Sequence, residues 1–454
     1  MLYWIIKPFV FVFFRVFYRY DYKGIENIPY GQPFVFAPNH VNAFIDPIAL
    51  GLLSRRKIRF FARGDVFKKK LAQIVLNSMG VSPMFRIQEG YSELKKNDKT
   101  FEECRRRLTN DGIILLFPEA ICVQERRLRP LKKGLARIVF QTEETMDFKK
   151  DVLVVPVGLN YTAPYKFRSK LFIDIGPPIS VKEYEARYKE DKVRAINEFT
   201  KVVEKKMAEH MVILNDTGND KLFVSIEEIY MYQCLKDKGR DTSNLVHSYE
   251  GSRELAEMIN FYQDTNPALT TSLRDKTAGY IEKVRAHKLR DHLLRPDSIE
   301  KHSMLSFILD FFIIWLGMPV YAIGLLMNYP PYYFSKAFAT KNIKTVEFFA
   351  SVYANLAMIL WFFYYGLQLL AVALIFRDWH LLAGYAAAAP FFGFFCLAYY
   401  PVKEKIFGRW RLLRMVRKER AAVEALVHER RVVISEIEAA KEGFLRSRNS
   451  NILH

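Results

Sequence analysis

Short apolar runs near residues 34–37, 59–62, 113–117, 152–157 and 171–175 alternate with longer polar stretches, the pattern of strands and helices in an α/β domain. Thr100 followed three residues later by Glu103 is a capping-box signature, and Asn110-Asp111-Gly112 stops the helix it would open before the strand at 113. The cluster Arg105-Arg106-Arg107 on that helix is expected to face solvent. Pro47 is suited to the first turn of a helix over 47–53, which makes Asp46 its expected N-cap. From 181 to 212 the chain reads as charged helix, and from 215 to 302 as polar, helix-rich and free of catalytic constellations.

The pattern changes abruptly at Ser303. Apolar stretches follow at 304–327, 346–376 and 381–400, at least two of them long enough to span a bilayer. Asp310, Gly317 and Pro319 make the first fit a broken or re-entrant element, with the other two as a hairpin turning at Arg377-Asp378-Trp379-His380. A second arrangement splits the middle stretch at Gly366. Residues 421–445 read as a charged amphipathic helix. At the start, Lys7 and Arg15 interrupt an aromatic run with no small-residue cleavage site, so an interfacial anchor helix is expected rather than a signal peptide. The expected organisation is an anchor at 1–22, an α/β domain at 23–213, a helical region at 214–302, a transmembrane helical domain at 303–402 and a basic cytosolic helical tail at 403–454.

Aromatic residues make up 15% of the chain, with 37 Phe and 25 Tyr, which favours a membrane setting over a soluble one. A net charge of +19 asks for an anionic partner. Nucleic acid lacks support, since there is no zinc spacing, helix-turn-helix or aromatic RNA-binding signature, so anionic membrane lipid is expected. Lys336, Lys341 and Lys344 after the first apolar stretch, and Lys403, Lys405, Arg409 and their neighbours after the third, put both segments on the cytoplasmic side, and the α/β domain is expected there too. Cys104, Cys122, Cys234 and Cys396 show neither pairing nor metal spacing, as expected for a reducing compartment with no metal.

His40 lies in a loop after an apolar strand, with Asp46 at the helix that follows. An imidazole held on one nitrogen by a carboxylate can take a proton from an alcohol with the other. Downstream, Gln124 to Gly134 is rich in cations. Arg129, Lys132 and Lys133, with Arg137 one turn beyond, are equally suited to a phosphate and to anionic headgroups.

Four blocks fall in a telling order: Asn39-His40 with the later Asp46, Pro83-Met84-Phe85-Arg86, Leu116-Phe117-Pro118-Glu119, and Val155-Pro156-Val157-Gly158. Over about residues 25–180 the chain thereby resembles the glycerolipid acyltransferases, which act on glycerol 3-phosphate or 1-acylglycerol 3-phosphate. The resemblance implies a central mixed sheet flanked by helices and transfer of a fatty acyl group from a thioester, acyl-coenzyme A or acyl carrier protein, with no cofactor. It implies His40 as base, Asp46 as its orienting carboxylate, Arg86 as a ligand of the acceptor phosphate and Glu119 as an acceptor-positioning group. Two departures stand out. Five residues separate His40 from Asp46 where the family has four, and Ala120 follows Phe-Pro-Glu where the family has glycine, so a turn with positive φ is harder to make. They motivate an alternative reading, a lipid-binding or scaffolding relative without turnover.

Overall fold

The computed structural model describes residues 2–67, 70–84, 96–296 and 304–452. The chain divides into two compact units, residues 1–213 with 345–351, and 214–344 with 352–454.

In the first unit the elements run α1 (Leu2–Phe17), β1 (Tyr18–Lys23), β2 (Phe34–Pro38), α2 (Ile45–Leu53), β3 (Ile58–Arg63), α3 (Lys70–Met79), β4 (Val81–Met84), α4 (Lys96–Thr109), β5 (Ile113–Leu115), α5 (Gly134–Thr145), β6 (Leu153–Tyr161), β7 (Ser169–Ile175), β8 (Ile179–Ser180), α6 (Glu185–Glu190) and α7 (Lys192–Ala208). The strands form one sheet in the order β1-β7-β6-β2-β5-β3-β4, with β8 beside β6. The sheet is mixed: β6–β7 and β6–β8 are antiparallel and the remaining pairs parallel. Phe34, Val35, Phe36 and Ala37 of β2 are fully buried, as a strand central to a parallel stretch and covered on both faces must be. Val35 and Ala37 pack with Val154 and with Leu135, Val139, Phe199 and Val203 of α5 and α7 in one apolar core.

Three local expectations are corrected. Residues 18–22 do not continue the N-terminal helix; they enter β1, which runs parallel to β7. Tyr18 and Tyr20 alternate inward while Arg19 and Asp21 turn out, and that period of two fits a strand. Thr100 does not cap a helix. It lies a turn inside α4, where its hydroxyl donates to the Pro83 carbonyl, while Glu103 pairs with Arg59 and accepts from Ser82. Asp46 is not the N-cap of α2 either, because the helix begins at Ile45 with Phe44 before it. The stop after α4 occurs at Asp111, which takes a left-handed φ of 56°.

The second unit holds α8 (Asp220–Asp237), α9 (Leu245–Thr265), α10 (Pro267–Ala286), α11 (Met304–Asn342), most of α12 (Val346–Phe376), α13 (Trp379–Lys418) and α14 (Arg420–Ile452). Arg430 of α14 is buried, and its guanidinium donates to Asp291, which also accepts from the Tyr280 hydroxyl at 2.9 Å.

Helices α11, α12 and α13 are each long and apolar enough to cross a membrane. None is broken as expected from sequence. The first apolar stretch is not re-entrant but part of a continuous 39-residue helix despite Pro319, Pro330 and Pro331, and α12 passes Gly366 without interruption. The third apolar stretch lies in α13, which continues through the basic residues after it to Lys418. A proline lacks an N–H and so frees the carbonyl four residues earlier. Pro330 and Pro331 free those of Leu326 and Met327, and Tyr364 and Gln368 of α12 donate to them at 3.0 Å each. Pro390 frees that of Ala386, which accepts from Tyr365. Side chains of a neighbouring helix thus satisfy the backbone that the prolines leave open, which is what an apolar surrounding demands.

Candidate active site

Strands β2, β5 and β6 run parallel side by side, so their carboxyl ends lie together. In α/β sheets this is where ligands bind. β2 delivers Asn39 and His40, β5 leads into Phe117 and Glu119, and β6 ends at Tyr161. Asn39 locks the first of these: its amide donates to the Leu159 carbonyl at 3.2 Å and accepts from the Leu159 N–H at 2.7 Å.

His40 Nδ1 lies 3.0 Å from Asp46 Oδ2. The same oxygen accepts the N–H groups of Val41 at 2.8 Å and Asn42 at 2.7 Å, and Oδ1 accepts the Tyr161 hydroxyl at 2.7 Å. Asp46 is wholly buried, and this set of donors compensates its desolvation. A carboxylate on Nδ1 selects the tautomer with its proton there and leaves the Nε2 lone pair open. Among the described residues no group hydrogen-bonds Nε2. The imidazole stacks on Phe117 with centroids 3.7 Å apart and 15° between planes, which fixes its rotation.

Glu119 is 6% exposed, and each carboxylate oxygen accepts a backbone N–H at 3.1 Å, Oε1 from His40 and Oε2 from Arg129. Burial raises its pKa above the usual carboxylate range, opposed by those two N–H bonds. Glu119 therefore ties the His40 loop to the cationic segment. Next to it Ala120 takes the left-handed φ of 57° that glycine would occupy more easily.

The cations differ in setting. Arg129 pairs with Glu125 at 2.9 Å, and its Nε is buried without a partner. Lys132 and Lys133 are exposed just before α5, and Arg137 is exposed on it. Arg86 lies outside the described residues. Burial, followed by the charge of Asp46, pushes the Cys122 thiol far up, so it carries no thiolate at neutral pH.

Several partners of the pair have no local signal in sequence. Tyr161 lies 115 positions from Asp46. The Asn42 amide donates to Tyr18 Oη at 2.9 Å and to the Pro164 carbonyl at 3.1 Å, and Tyr18 in turn donates to Pro164 at 2.7 Å. The first turns of α12 also reach this loop. Ser351 Oγ donates to Asn42 Oδ1 at 2.9 Å and accepts the Phe44 N–H at 2.9 Å.

A carboxylate-held histidine at the parallel strand ends of a mixed α/β sheet has the geometry to take a proton from a hydroxyl group. Comparison narrows the chemistry: residues 19–160 match the family model described as Acyltransferase, and this stretch is an acyltransferase domain. Glycerol-3-phosphate O-acyltransferase 1 of Saccharomyces cerevisiae is 27% identical over 250 residues, 52% of this chain and 31% of that one. The chloroplastic 1-acyl-sn-glycerol-3-phosphate acyltransferase BAT2 of Brassica napus is 27% identical over 144 residues, 32% of this chain and 38% of that one. The chain thus spans about a third of the length of the curated relatives it matches. Among solved structures, the 1-acyl-sn-glycerophosphate (LPA) acyltransferase PlsC of Thermotoga maritima aligns with 46% of this chain and 79% of that one, at 18% identity and a TM-score of 0.33.

Proposed function

We propose that the protein is a membrane-bound O-acyltransferase of phospholipid synthesis, moving a fatty acyl group from a thioester to a hydroxyl of glycerol 3-phosphate. The observation that carries this reading is the Nδ1–Oδ2 contact of 3.0 Å between His40 and a fully satisfied Asp46, with Nε2 open. Nε2 takes the proton of the acceptor hydroxyl as its oxygen attacks the thioester carbonyl carbon. The C–S bond then breaks, and the imidazolium returns the proton to the departing thiolate. Asp46 holds the ring and stabilises its cationic form, and no covalent enzyme intermediate is required.

Arg129, Lys132 and Lys133 supply positive charge for the acceptor phosphate or for anionic headgroups, and Arg86 is assigned to the phosphate on the family resemblance. Glu119 acts through the backbone of His40 and Arg129. Glycerol 3-phosphate is preferred because the match to the yeast glycerol-3-phosphate enzyme runs over 250 residues, against 144 for the plant 1-acylglycerol-phosphate enzyme. Lysophosphatidate is the second reading. The donor is acyl-coenzyme A or acyl carrier protein. We place the catalytic domain on the cytoplasmic face, where the lysines and arginines at 336–344 and 403–418 belong by the positive-inside rule.

The test is incubation of full-length protein in detergent with acyl-coenzyme A or acyl carrier protein and each of glycerol 3-phosphate, dihydroxyacetone phosphate and lysophosphatidate, following thiol release and lipid product. Product with glycerol 3-phosphate that falls about 10²- to 10⁴-fold in His40→Ala is the expected result. Binding of lipid with no product from any pair would favour the scaffolding alternative.

A further inference from the structure

Five residues separate His40 from Asp46, and the middle of that loop has a partner. Asn42, Ala43 and Phe44, the middle of that loop, are each held by the opening residues of α12. Asn42 Oδ1 accepts the Ser351 hydroxyl at 2.9 Å, the Ala43 N–H donates to the Glu347 carbonyl at 3.3 Å, and the Phe44 N–H donates to Ser351 Oγ at 2.9 Å. Phe44 also meets Phe348 edge to face at 5.9 Å, and Gln124 Nε2 donates to the Val346 carbonyl at 3.1 Å. Ser351 is fully buried.

These contacts sit one bond from the chemistry. The Asn42 N–H that Asp46 Oδ2 accepts belongs to the residue whose amide Ser351 holds. A buried hydroxyl that both donates to and accepts from one loop fixes that loop at two points. Without it, the buried Asn42 Oδ1 loses its donor and the part-buried Phe44 N–H its acceptor, and the loop has reason to move.

We propose that Ser351, on a helix long and apolar enough to cross the membrane, is a positioning residue for the His40–Asp46 pair, acting through Asn42 and Phe44. The inference rests on His40 being the base. It makes α12 more than an anchor, because its first turns supply part of the support that a five-residue loop needs to bring imidazole and carboxylate together.

The experiment compares full-length wild type, Ser351→Ala and Ser351→Thr in detergent by two readouts. One is steady-state acyl transfer across pH. The other is the pH dependence of His40 carbethoxylation by diethyl pyrocarbonate, read by mass spectrometry, which needs no turnover. Ser351→Ala should lower kcat about tenfold with KM for donor and acceptor unchanged. It should move His40 modification to lower pH, since a looser carboxylate stabilises the imidazolium less. Ser351→Thr, which keeps the hydroxyl, should restore both. Should Ser351→Ala not fold, Ser351→Cys keeps the size and a weak donor and should give the same shifts. An unchanged modification curve in a folded variant, or a threonine variant no better than alanine, would overturn the proposal. Wild type without product under any acceptor would instead count against the acyltransferase reading, and the modification curve would still decide the role of Ser351.

Discussion

The first compact unit contains two histidine–carboxylate pairs that look alike by distance and burial. His40 Nδ1 is 3.0 Å from Asp46, with side chains 13% and 0% exposed, and His210 Nδ1 is 3.1 Å from Asp174, at 15% and 1%. Their surroundings separate them. Asp46 collects three further donors and forms a true hydrogen bond with its imidazole, whereas both ring nitrogens of His210 are buried without a hydrogen bond, and Asp174 also faces Lys23 at 3.4 Å. The decisive difference lies at Nε2. In His210 that atom is pressed against Gly176, where an added Cβ would sit 2.2 Å away, and the His210 carbonyl closes on Gly158 and accepts from Asn160. No substrate hydroxyl fits there. A His–Asp distance alone therefore does not single out a base; what separates the two pairs is the second nitrogen, free of hydrogen bonds at the carboxyl ends of parallel strands in one and buried against Gly176 in the other.

The sharpest break between the two pairs is expected in turnover. His40→Ala should lose about 10²- to 10⁴-fold, and His210→Ala should stay within about threefold per folded molecule while lowering stability. Equal losses in thiol release, normalised to folded protein, would erase the distinction. Gly176→Ala probes the closed pair alone. Its methyl would meet the His210 ring at 2.2 Å and Pro156 at 2.9 Å, so about 1–3 kcal/mol of stability should go in denaturant unfolding, with turnover of the folded fraction unchanged.

How much of this was readable in the sequence depends on the reach of each interaction. The apolar strands, the stop at Asn110-Asp111-Gly112 and the nearness of His40 to Asp46 are local, and residue order reveals them. Strand β1 was legible too, since Tyr18-Arg19-Tyr20-Asp21-Tyr22-Lys23 alternates with period two, but the aromatic run before it suggested a longer helix. β4 carries only Val81-Ser82-Pro83-Met84 and exists because β3 pairs with it. Thr100–Glu103 imitated a cap because its two residues bond Pro83, Arg59 and Ser82, which are distant in sequence. The prolines of α11 suggested a break because the donors that repair it, Tyr364 and Gln368, stand on another helix. Tyr161 and Ser351, 115 and 307 or more positions from the loop they hold, left no local trace.

Tyr161→Phe sharpens the contrast from the carboxylate side. It removes the 2.7 Å bond to Asp46 Oδ1 while leaving the two N–H bonds to Oδ2, so turnover should fall about tenfold, far less than in His40→Ala. An unchanged kcat would mean that the N–H groups of Val41 and Asn42 alone orient Asp46.

The smallest effect tests whether backbone strain beside His40 matters to the open pair. Ala120 holds φ at 57°, a conformation that disfavours a Cβ by about 1–2 kcal/mol, and it directly follows the glutamate that binds the His40 N–H. Ala120→Gly relieves that cost but frees the unfolded chain, leaving a net gain of about 0.5–1 kcal/mol. The expected outcome is a higher denaturation midpoint with kcat unaltered, because Glu119, anchored by two N–H groups, sets the loop whatever follows it. A stabilised variant with reduced kcat would show instead that the strained turn helps hold His40 in place, and that the open pair depends on strain where the closed pair depends on packing.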